Sequence, residues 1–325
     1  MLKEALRFHM NEMPYPPPPY VREAARQALA RAHRYADGGA LQRLQARLAD
    51  YAGVPARHVI LSPGSDLLLR EIIHTFSPGR KVVTVSPSFF PTVEATRQFA
   101  PHRLSLRLRP PAFDLNVDLL LDALDEASLV IIDNPNNPTG RILLDRQAVA
   151  ALTARPETLL VIDEAYFEFS GMTFADQVAV CPHLAVIRTM DKAFGLAGLR
   201  VGYALVGEAF GEALSAFPAL LPRPSLEAAL AALQDVGYMK DNVRRVSAER
   251  ERLGQALSDL GVRVYPSRAN FLLMRAQLPD VASRLEEAGV RVSDVSNQLP
   301  PGFIRVSVGT REENDAFLSV YETTC

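Results

Sequence analysis

A single lysine in the sequence combines a reactive amine with surroundings that suit covalent chemistry. Lys192 lies in a glycine-bearing loop, residues 190–200, between apolar runs at 184–187 and 201–205. An amine that is partly removed from water has a lowered pKa, which makes it a nucleophile that forms an imine with an aldehyde. A lone lysine is otherwise a solvated charge, so this prediction depends on the residues that accompany it.

Two further features of the sequence suit a phosphate group. Arg200 follows Lys192 by eight positions, directly before an apolar run, and its planar guanidinium matches phosphate or carboxylate. Its alternative role is a surface ion pair. Gly64 and Ser65 precede a predicted helix, whose N-terminus favours an anion, although Ser and Asp are also ordinary helix caps.

Three polar residues occur in or after predicted strands. Asp163 ends the run 159–163, Asn137 lies in an Asn-Pro turn, and Arg305 alternates with apolar residues. The carboxyl ends of parallel strands are where α/β proteins bind ligands. An aspartate at a strand end also resembles a nucleotide hydrolase, but the sequence lacks both the Gly-x-x-x-x-Gly-Lys-Ser/Thr loop and the Gly-x-Gly-x-x-Gly motif.

The elements that must position these residues follow from the hydrophobic pattern. Short apolar runs alternate with helical patterns in the first two thirds of the chain, which predicts an α/β fold with a mostly parallel sheet covered on both faces. The C-terminal third predicts a smaller α+β domain. We expect a large domain at 35–222 and a small domain made of 1–34 and 223–325, with the proline-rich arm 10–20 in the small domain.

The composition excludes several classes of protein. A net charge of −2 over 325 residues gives no reason to expect nucleic acid or an anionic membrane as partner. Apolar runs are shorter than the ~20 residues that span a bilayer. The two cysteines form no disulfide framework, and the six histidines show no metal-ligand spacing. These features predict a cytoplasmic protein without a metal centre.

The motifs occur together in an order that resembles a known family. Asn-Glu-Met-Pro-Tyr at 11–15, Asn-Asn-Pro-Thr-Gly at 136–140, Asp-Glu-Ala-Tyr at 163–166, the lysine loop and Ile-Arg-Val-Ser-Val at 304–308 follow one another. The chain resembles the fold-type-I pyridoxal-phosphate aminotransferases of class I/II, and most of all the histidinol-phosphate aminotransferase group. The resemblance implies a three-layer large domain like that of aspartate aminotransferase, with a smaller α+β domain, and pyridoxal 5′-phosphate as cofactor.

The resemblance also implies roles for individual residues. Lys192 would bind the cofactor covalently and move a proton, Asp163 would pair with the ring nitrogen, and Tyr166 would bond to the ring oxygen. The other implied cofactor contacts are Asn137 at the ring oxygen, Phe89 at the ring face, Gly64, Ser65, Thr189 and Arg200 at the phosphate, and Tyr35 from a second subunit of a homodimer with shared sites. The implied substrate contacts are Arg305 at the α-carboxylate, Tyr15 and Asn137.

Two residues depart from the pattern of the family. Asp191 stands where serine usually precedes the lysine, and we expect it to point outward or to pair with Arg200. Ser293 stands where an arginine usually grips the substrate's phosphate, and Arg291 is an uncertain substitute. The predicted function is therefore transfer of an α-amino group between histidinol phosphate, or an aromatic or apolar amino acid, and 2-oxoglutarate. The alternative is a decarboxylase or lyase of the threonine-phosphate decarboxylase type.

Overall fold

The structure of the protein, a computed structural model, describes residues 5–125, 127–215 and 220–325. Its strands are β1 (Leu6–Phe8), β2 (Val59–Ser62), β3 (Lys81–Ser86), β4 (Arg103–Arg107), β5 (Ser128–Asp133), β6 (Leu159–Asp163), β7 (Leu184–Thr189), β8 (Gly202–Val206), β9 (Arg263–Tyr265), β10 (Phe271–Arg275), β11 (Val290–Asp294) and β12 (Phe303–Ser307). Its helices are α1 (Pro19–Ala28), α2 (Gly38–Ala52), α3 (Ser65–Phe76), α4 (Phe90–Phe99), α5 (Val117–Asp122), α6 (Arg146–Thr153), α7 (Phe167–Ser170), α8 (Glu208–Ser215), α9 (Arg223–Ala232), α10 (Val236–Asp259), α11 (Val281–Glu287) and α12 (Arg311–Thr324).

A seven-stranded sheet forms the centre of the larger part of the fold. Its strand order is β2-β8-β7-β6-β5-β3-β4. Strand β8 runs antiparallel to both of its neighbours, and the other neighbouring strands are parallel. The predicted α/β class with a mostly parallel sheet is therefore confirmed.

Alternate residues of the central strands face two separate hydrophobic cores. In β5, Val130 and Ile132 belong to the core that includes residues of α2 and α6, whereas Leu129 and Ile131 belong to the core that includes residues of α3 and α8. Because both faces of the sheet are covered, each central strand is an unbroken apolar run, which is the pattern that the sequence shows. The result is a three-layer arrangement of helices, sheet and helices.

A five-stranded sheet forms the smaller part of the fold. Its order is β1-β11-β12-β10-β9, and only β1 and β11 are parallel neighbours. Helices α10 and α12 contribute Leu253, Leu257 and Phe317 to the core on one face. The N-terminal strand thus joins the C-terminal part of the chain. The domain bounds stay a prediction, and residues 1–4 lie outside the described part of the chain.

The apolar pattern did not predict strands β1 and β4. In β4, Arg103, Ser105 and Arg107 are exposed and alternate with two leucines, as expected at the edge of a sheet with one neighbour. The strand β1 has three residues and depends on pairing with a segment almost 300 positions later. Within the described ranges, no helix is long and apolar enough to cross a membrane.

Candidate active site

Three neighbouring strands of the seven-stranded sheet end at one cavity. Asp133, Asp163 and Thr189 are the last residues of β5, β6 and β7, and all three line a cavity of about 520 Å³. Parallel pairing places Asp133 directly beside Asp163. Besides Asp163 and Thr189, the predicted site residues in the cavity wall are Ser65, Phe89, Asn137, Tyr166, Lys192, Arg200 and Arg305.

Lys192 faces this cavity from the loop between β7 and β8. The loop is held by a hydrogen bond from the Met190 amide to the Val201 carbonyl. Burial lowers the pKa of the Lys192 amine to about 8, with Asp191 opposing that shift and Arg305 adding to it. The amine donates to the Met10 carbonyl at 3.1 Å. A pKa of about 8 leaves a fraction of the amine unprotonated at neutral pH, as the predicted nucleophile requires, and the role of Lys192 stays a prediction.

Asp163 is a buried carboxyl group at the end of β6. Burial, with a smaller contribution from the neighbouring Asp133, raises its pKa to about 7, and the Ala165 amide, which donates to one oxygen at 3.0 Å, opposes that rise. A buried carboxylate whose charged form is disfavoured gains stability when a cation is placed beside it. The cavity therefore offers a site for a positively charged ring nitrogen opposite Asp163.

Asp133 organises the turn that follows β5, and the sequence did not predict it as a site residue. Its oxygens accept from the Ser88 hydroxyl at 2.9 Å, the Asn136 amide side chain at 3.0 Å and the Asn137 backbone amide at 2.7 Å. The last of these bonds holds the backbone of Asn137, whose side-chain oxygen accepts from the Arg305 guanidinium at 2.5 Å. The available signal was its place at the end of a strand before an Asn-Pro turn.

The other end of the cavity suits an anion. Ser65 begins the twelve-residue helix α3, and Gly64 before it has φ +104°, where a Cβ would collide with Arg200 and Asp66. Arg200 forms ion pairs with both Asp66 and Asp191. Burial raises the pKa of Asp191 to about 6, and Arg200 opposes that rise. Of the two arrangements that we expected for Asp191, the structure shows the pair with Arg200.

Gly64 adjoins the cavity wall through Ser65, whereas two other predicted residues lie away from it. The ring of Tyr15 packs beneath the Arg245 guanidinium, 3.9 Å from it, and lines a small separate cleft. Tyr35 is 85% exposed, and its predicted contact is with the site of a second subunit. The roles of both residues therefore stay predictions. The sequence reasoning missed Met10, Asn11, Glu12 and Asp66, which line the cavity.

The comparison with protein families decides the class of this chain. Residues 3–320 match the family described as aminotransferase class I and II. The chain belongs to the class I and II aminotransferases. The predicted membership is thereby confirmed.

Similar proteins cover nearly the whole of this aminotransferase. A curated histidinol-phosphate aminotransferase from Sulfurisphaera tokodaii is 34% identical over 98% of this chain and 89% of its own length. Histidinol-phosphate aminotransferase 1 from Archaeoglobus fulgidus is 36% identical over 96% of this chain and 97% of its own. The crystal structure of histidinol-phosphate aminotransferase from Sinorhizobium meliloti in complex with pyridoxal-5′-phosphate has a TM-score of 0.89 and 26% identity, and the match covers 99% and 92% of the two chains. The predicted fold is confirmed.

Proposed function

We propose that this aminotransferase uses pyridoxal 5′-phosphate to transfer an α-amino group between an amino acid and a 2-oxo acid. One observation carries the proposal, which is that the Lys192 amine, the Asp163 carboxyl group and the Arg305 guanidinium line the same cavity. An amine nucleophile, an acceptor for a ring nitrogen and a fork for a carboxylate are the groups that this reaction needs.

The residues of the cavity fit the cofactor. Lys192 has the lowered pKa that attack on an aldehyde requires, and the pKa of Asp163, raised to about 7, would fall beside a protonated ring nitrogen. The absence of a Cβ at Gly64 lets Arg200 and Asp66 approach the start of α3, which supplies backbone donors for an anion. Arg200 would hold the phosphate, with Asp66 and Asp191 as its present partners.

The chain's own residues would act on the substrate as follows. Arg305 would bind the α-carboxylate, since its guanidinium is already aimed by the bond to Asn137. When bound, the cofactor supplies an electron sink for the charge that develops at the substrate α-carbon. The Lys192 amine, with a pKa of about 8, would take the proton from that carbon and deliver it to the cofactor. Proton transfer by a positioned group of this kind contributes about 10²–10⁴-fold to the rate.

A second, smaller cavity supports an unphosphorylated donor. It measures about 220 Å³ and shares Asn137 and Arg305 with the main cavity, so a side chain could extend into it. Ser293 pairs with Arg305 across strands β11 and β12, and their side chains therefore share one face. The described residues in the wall include one carboxylate, Asp294, and no cation besides Arg305.

This wall opposes an anionic side chain. Arg291 does not line the cavity and instead lies 3.6 Å from Glu286, more than half exposed. We therefore propose an aromatic or apolar amino acid as donor in preference to histidinol phosphate, the substrate in the names of the relatives. The same wall would face the distal carboxylate of 2-oxoglutarate, the predicted amino-group acceptor. Pyruvate lacks that second carboxylate and is therefore the acceptor to compare with 2-oxoglutarate. The decarboxylase alternative is not favoured, because the curated relatives named above are aminotransferases.

The test uses the purified full-length chain loaded with pyridoxal 5′-phosphate. Phenylalanine, leucine, histidinol phosphate and threonine phosphate are offered as donors, with 2-oxoglutarate or pyruvate as acceptor, and keto-acid and carbon dioxide formation are measured. Lys192→Ala is expected to abolish turnover, whereas Lys240→Ala, at an exposed position, retains it. Normal turnover by Lys192→Ala would refute the proposed function. Carbon dioxide release without a keto-acid product would favour the decarboxylase instead.

A further inference from the structure

The Tyr166 hydroxyl lies between two amide side chains at the cavity wall. The Asn11 amide nitrogen donates to the Tyr166 oxygen at 2.9 Å, and the Asn137 amide nitrogen donates to it at 3.4 Å. A phenol oxygen accepts about two hydrogen bonds and donates one. Both accepting positions are therefore filled from the protein, which leaves the hydroxyl hydrogen to be placed.

The Ser307 hydroxyl holds the Asn11 amide from the side opposite Tyr166. Its oxygen accepts from the backbone N–H of Asn11 at 2.8 Å, and its hydrogen is donated to the Asn11 side-chain oxygen at 3.1 Å. In this arrangement the side-chain oxygen faces Ser307 and the amide nitrogen faces Tyr166. The Asn11 carbonyl accepts from the Asn270 side chain at 2.9 Å, which holds the segment in place.

The Arg305 guanidinium fixes the orientation of the Asn137 amide. Arg305 has donors and no acceptor, and it donates to the Asn137 side-chain oxygen at 2.5 Å. The Asn137 amide nitrogen must therefore be the atom that faces Tyr166. The Ser307 hydroxyl and the Arg305 guanidinium thus each bind the oxygen of one amide, and the two amide nitrogens face the Tyr166 oxygen.

Asn11 occupies this position at a cost in backbone conformation. It is 1% exposed and has φ +53°, in the left-handed region that asparagine tolerates better than most residues other than glycine. Burial raises the pKa of Tyr166 to about 12, so the hydroxyl keeps its hydrogen at neutral pH. No described residue accepts that hydrogen, and the open direction is the cavity, whose wall includes both Asn11 and Tyr166.

We propose that Asn11 and Ser307 are positioning residues that commit the Tyr166 hydroxyl to donate its hydrogen to a ligand oxygen in the cavity. The proposal rests on the proposed function, in which the ligand is pyridoxal 5′-phosphate and its ring oxygen is the acceptor. Asn11 then acts through Tyr166, and the N-terminal segment sets the charge on the cofactor ring. A ring oxygen that loses this donor holds a proton more tightly.

The decisive variant is Asn11→Asp, which keeps the size of the side chain and replaces the donor by an acceptor. The new carboxylate accepts the Tyr166 hydrogen, which is then withdrawn from the cavity. The pH midpoint of the visible absorbance of the holoenzyme is expected to rise by about one pH unit or more, the size of one charge-assisted hydrogen bond. Tyr166→Phe is expected to raise it similarly. In the Tyr166→Phe background, Asn11→Asp should add well under half of its effect on the wild type.

Asn11→Gly is the matched control, because glycine accepts φ +53° and removes the amide without adding an acceptor. Its shift should be smaller than that of Asn11→Asp. The proposal is overturned if Asn11→Asp leaves the midpoint unchanged, if its shift is the same without the Tyr166 hydroxyl, or if Asn11→Gly matches it. If the wild-type enzyme binds the cofactor and turns over, any of these results leaves the proposed function standing. A wild-type chain that never gains visible absorbance overturns both.

Discussion

Replacing Asp163 by asparagine should stabilise the cofactor-free protein and remove most of the activity of the cofactor-loaded enzyme. The substitution keeps the size of the side chain and an oxygen that can accept from the Ala165 amide. It removes a carboxylate that is 5% exposed and lies beside Asp133. One buried group is therefore expected to affect stability and turnover in opposite directions.

The size of the stability effect follows from the pKa of Asp163. It is about 7 in the folded chain, against an ordinary value of 3.8, so the folded state binds this proton more tightly than the unfolded state. The destabilisation is therefore absent below about pH 4, grows as the pH rises to about 7 and is constant above that. Three pKa units correspond to about 4 kcal/mol. Burial of the new amide offsets about 1 kcal/mol, which leaves a gain of about 2–4 kcal/mol.

The effect on turnover has the opposite sign. An ion pair between Asp163 and a protonated ring nitrogen, at ~4 Å and an effective dielectric near 20, contributes about 4 kcal/mol before desolvation. Without it the ring nitrogen loses its proton and the cofactor withdraws electrons less effectively. We expect the rate constant for turnover to fall by about 100-fold or more.

Urea unfolding of the cofactor-free proteins at about pH 5 and about pH 8 measures the first effect, and single-turnover kinetics of the loaded proteins measure the second. The stability gain of Asp163→Asn should be larger at the higher pH. Asp50→Asn, at an exposed position, is the matched control and should change neither quantity. The reasoning is refuted if Asp163→Asn is the less stable protein at about pH 8, or if its turnover stays within about tenfold of the wild type.

Three further predictions follow from the site. Gly64→Ala should weaken cofactor binding at least about tenfold in a cofactor titration, because the added Cβ meets the Arg200 guanidinium. Gly53→Ala is the control, since Gly53 also has a positive φ but has open space around it. This control should lose about 1–3 kcal/mol of stability in urea unfolding without losing affinity for the cofactor. The rate of cofactor capture should rise with pH and level off above about 8, as the Lys192 amine loses its proton, and a flat stopped-flow profile would contradict that pKa. Mixing inactive Lys192→Ala with an inactive Tyr35 variant should restore part of the activity if a homodimer shares its sites, and no recovery in verified hybrid dimers would contradict the predicted role of Tyr35.

The sequence predicted the central sheet because its strands are covered on both faces. Under that condition each strand is a short apolar run, and the pattern does not depend on where the neighbouring strands lie in the chain. Strand β4 lacks this pattern, since its exposed arginines are typical of a sheet edge. Strand β1 exists through pairing with β11, a partner that no local pattern identifies.

The residues of the candidate site also fall into two groups, those that the sequence predicted and those that only the structure identified. Lys192, Asp163 and Arg200 were predictable because the type of each residue and its place at the end of an apolar run already limit its chemistry. The family resemblance added Tyr166 and the role of Asn137 at the ring oxygen. The structure added Asp133, which holds the turn, and Asn11, which reaches the Tyr166 hydroxyl across 155 positions of sequence.

The sequence by itself determined the central strands of the large sheet, the residues capable of nucleophilic and anion-binding chemistry, and the family. The tertiary structure alone decided which polar atoms face one another, including the pairing of Asp191 with Arg200 and the orientation of the Asn11 and Asn137 amides. The physical reason is the separation along the sequence over which each feature is determined. Hydrophobic periodicity is written into neighbouring residues, whereas a hydrogen bond or a pKa depends on a few ångströms between atoms from distant parts of the chain.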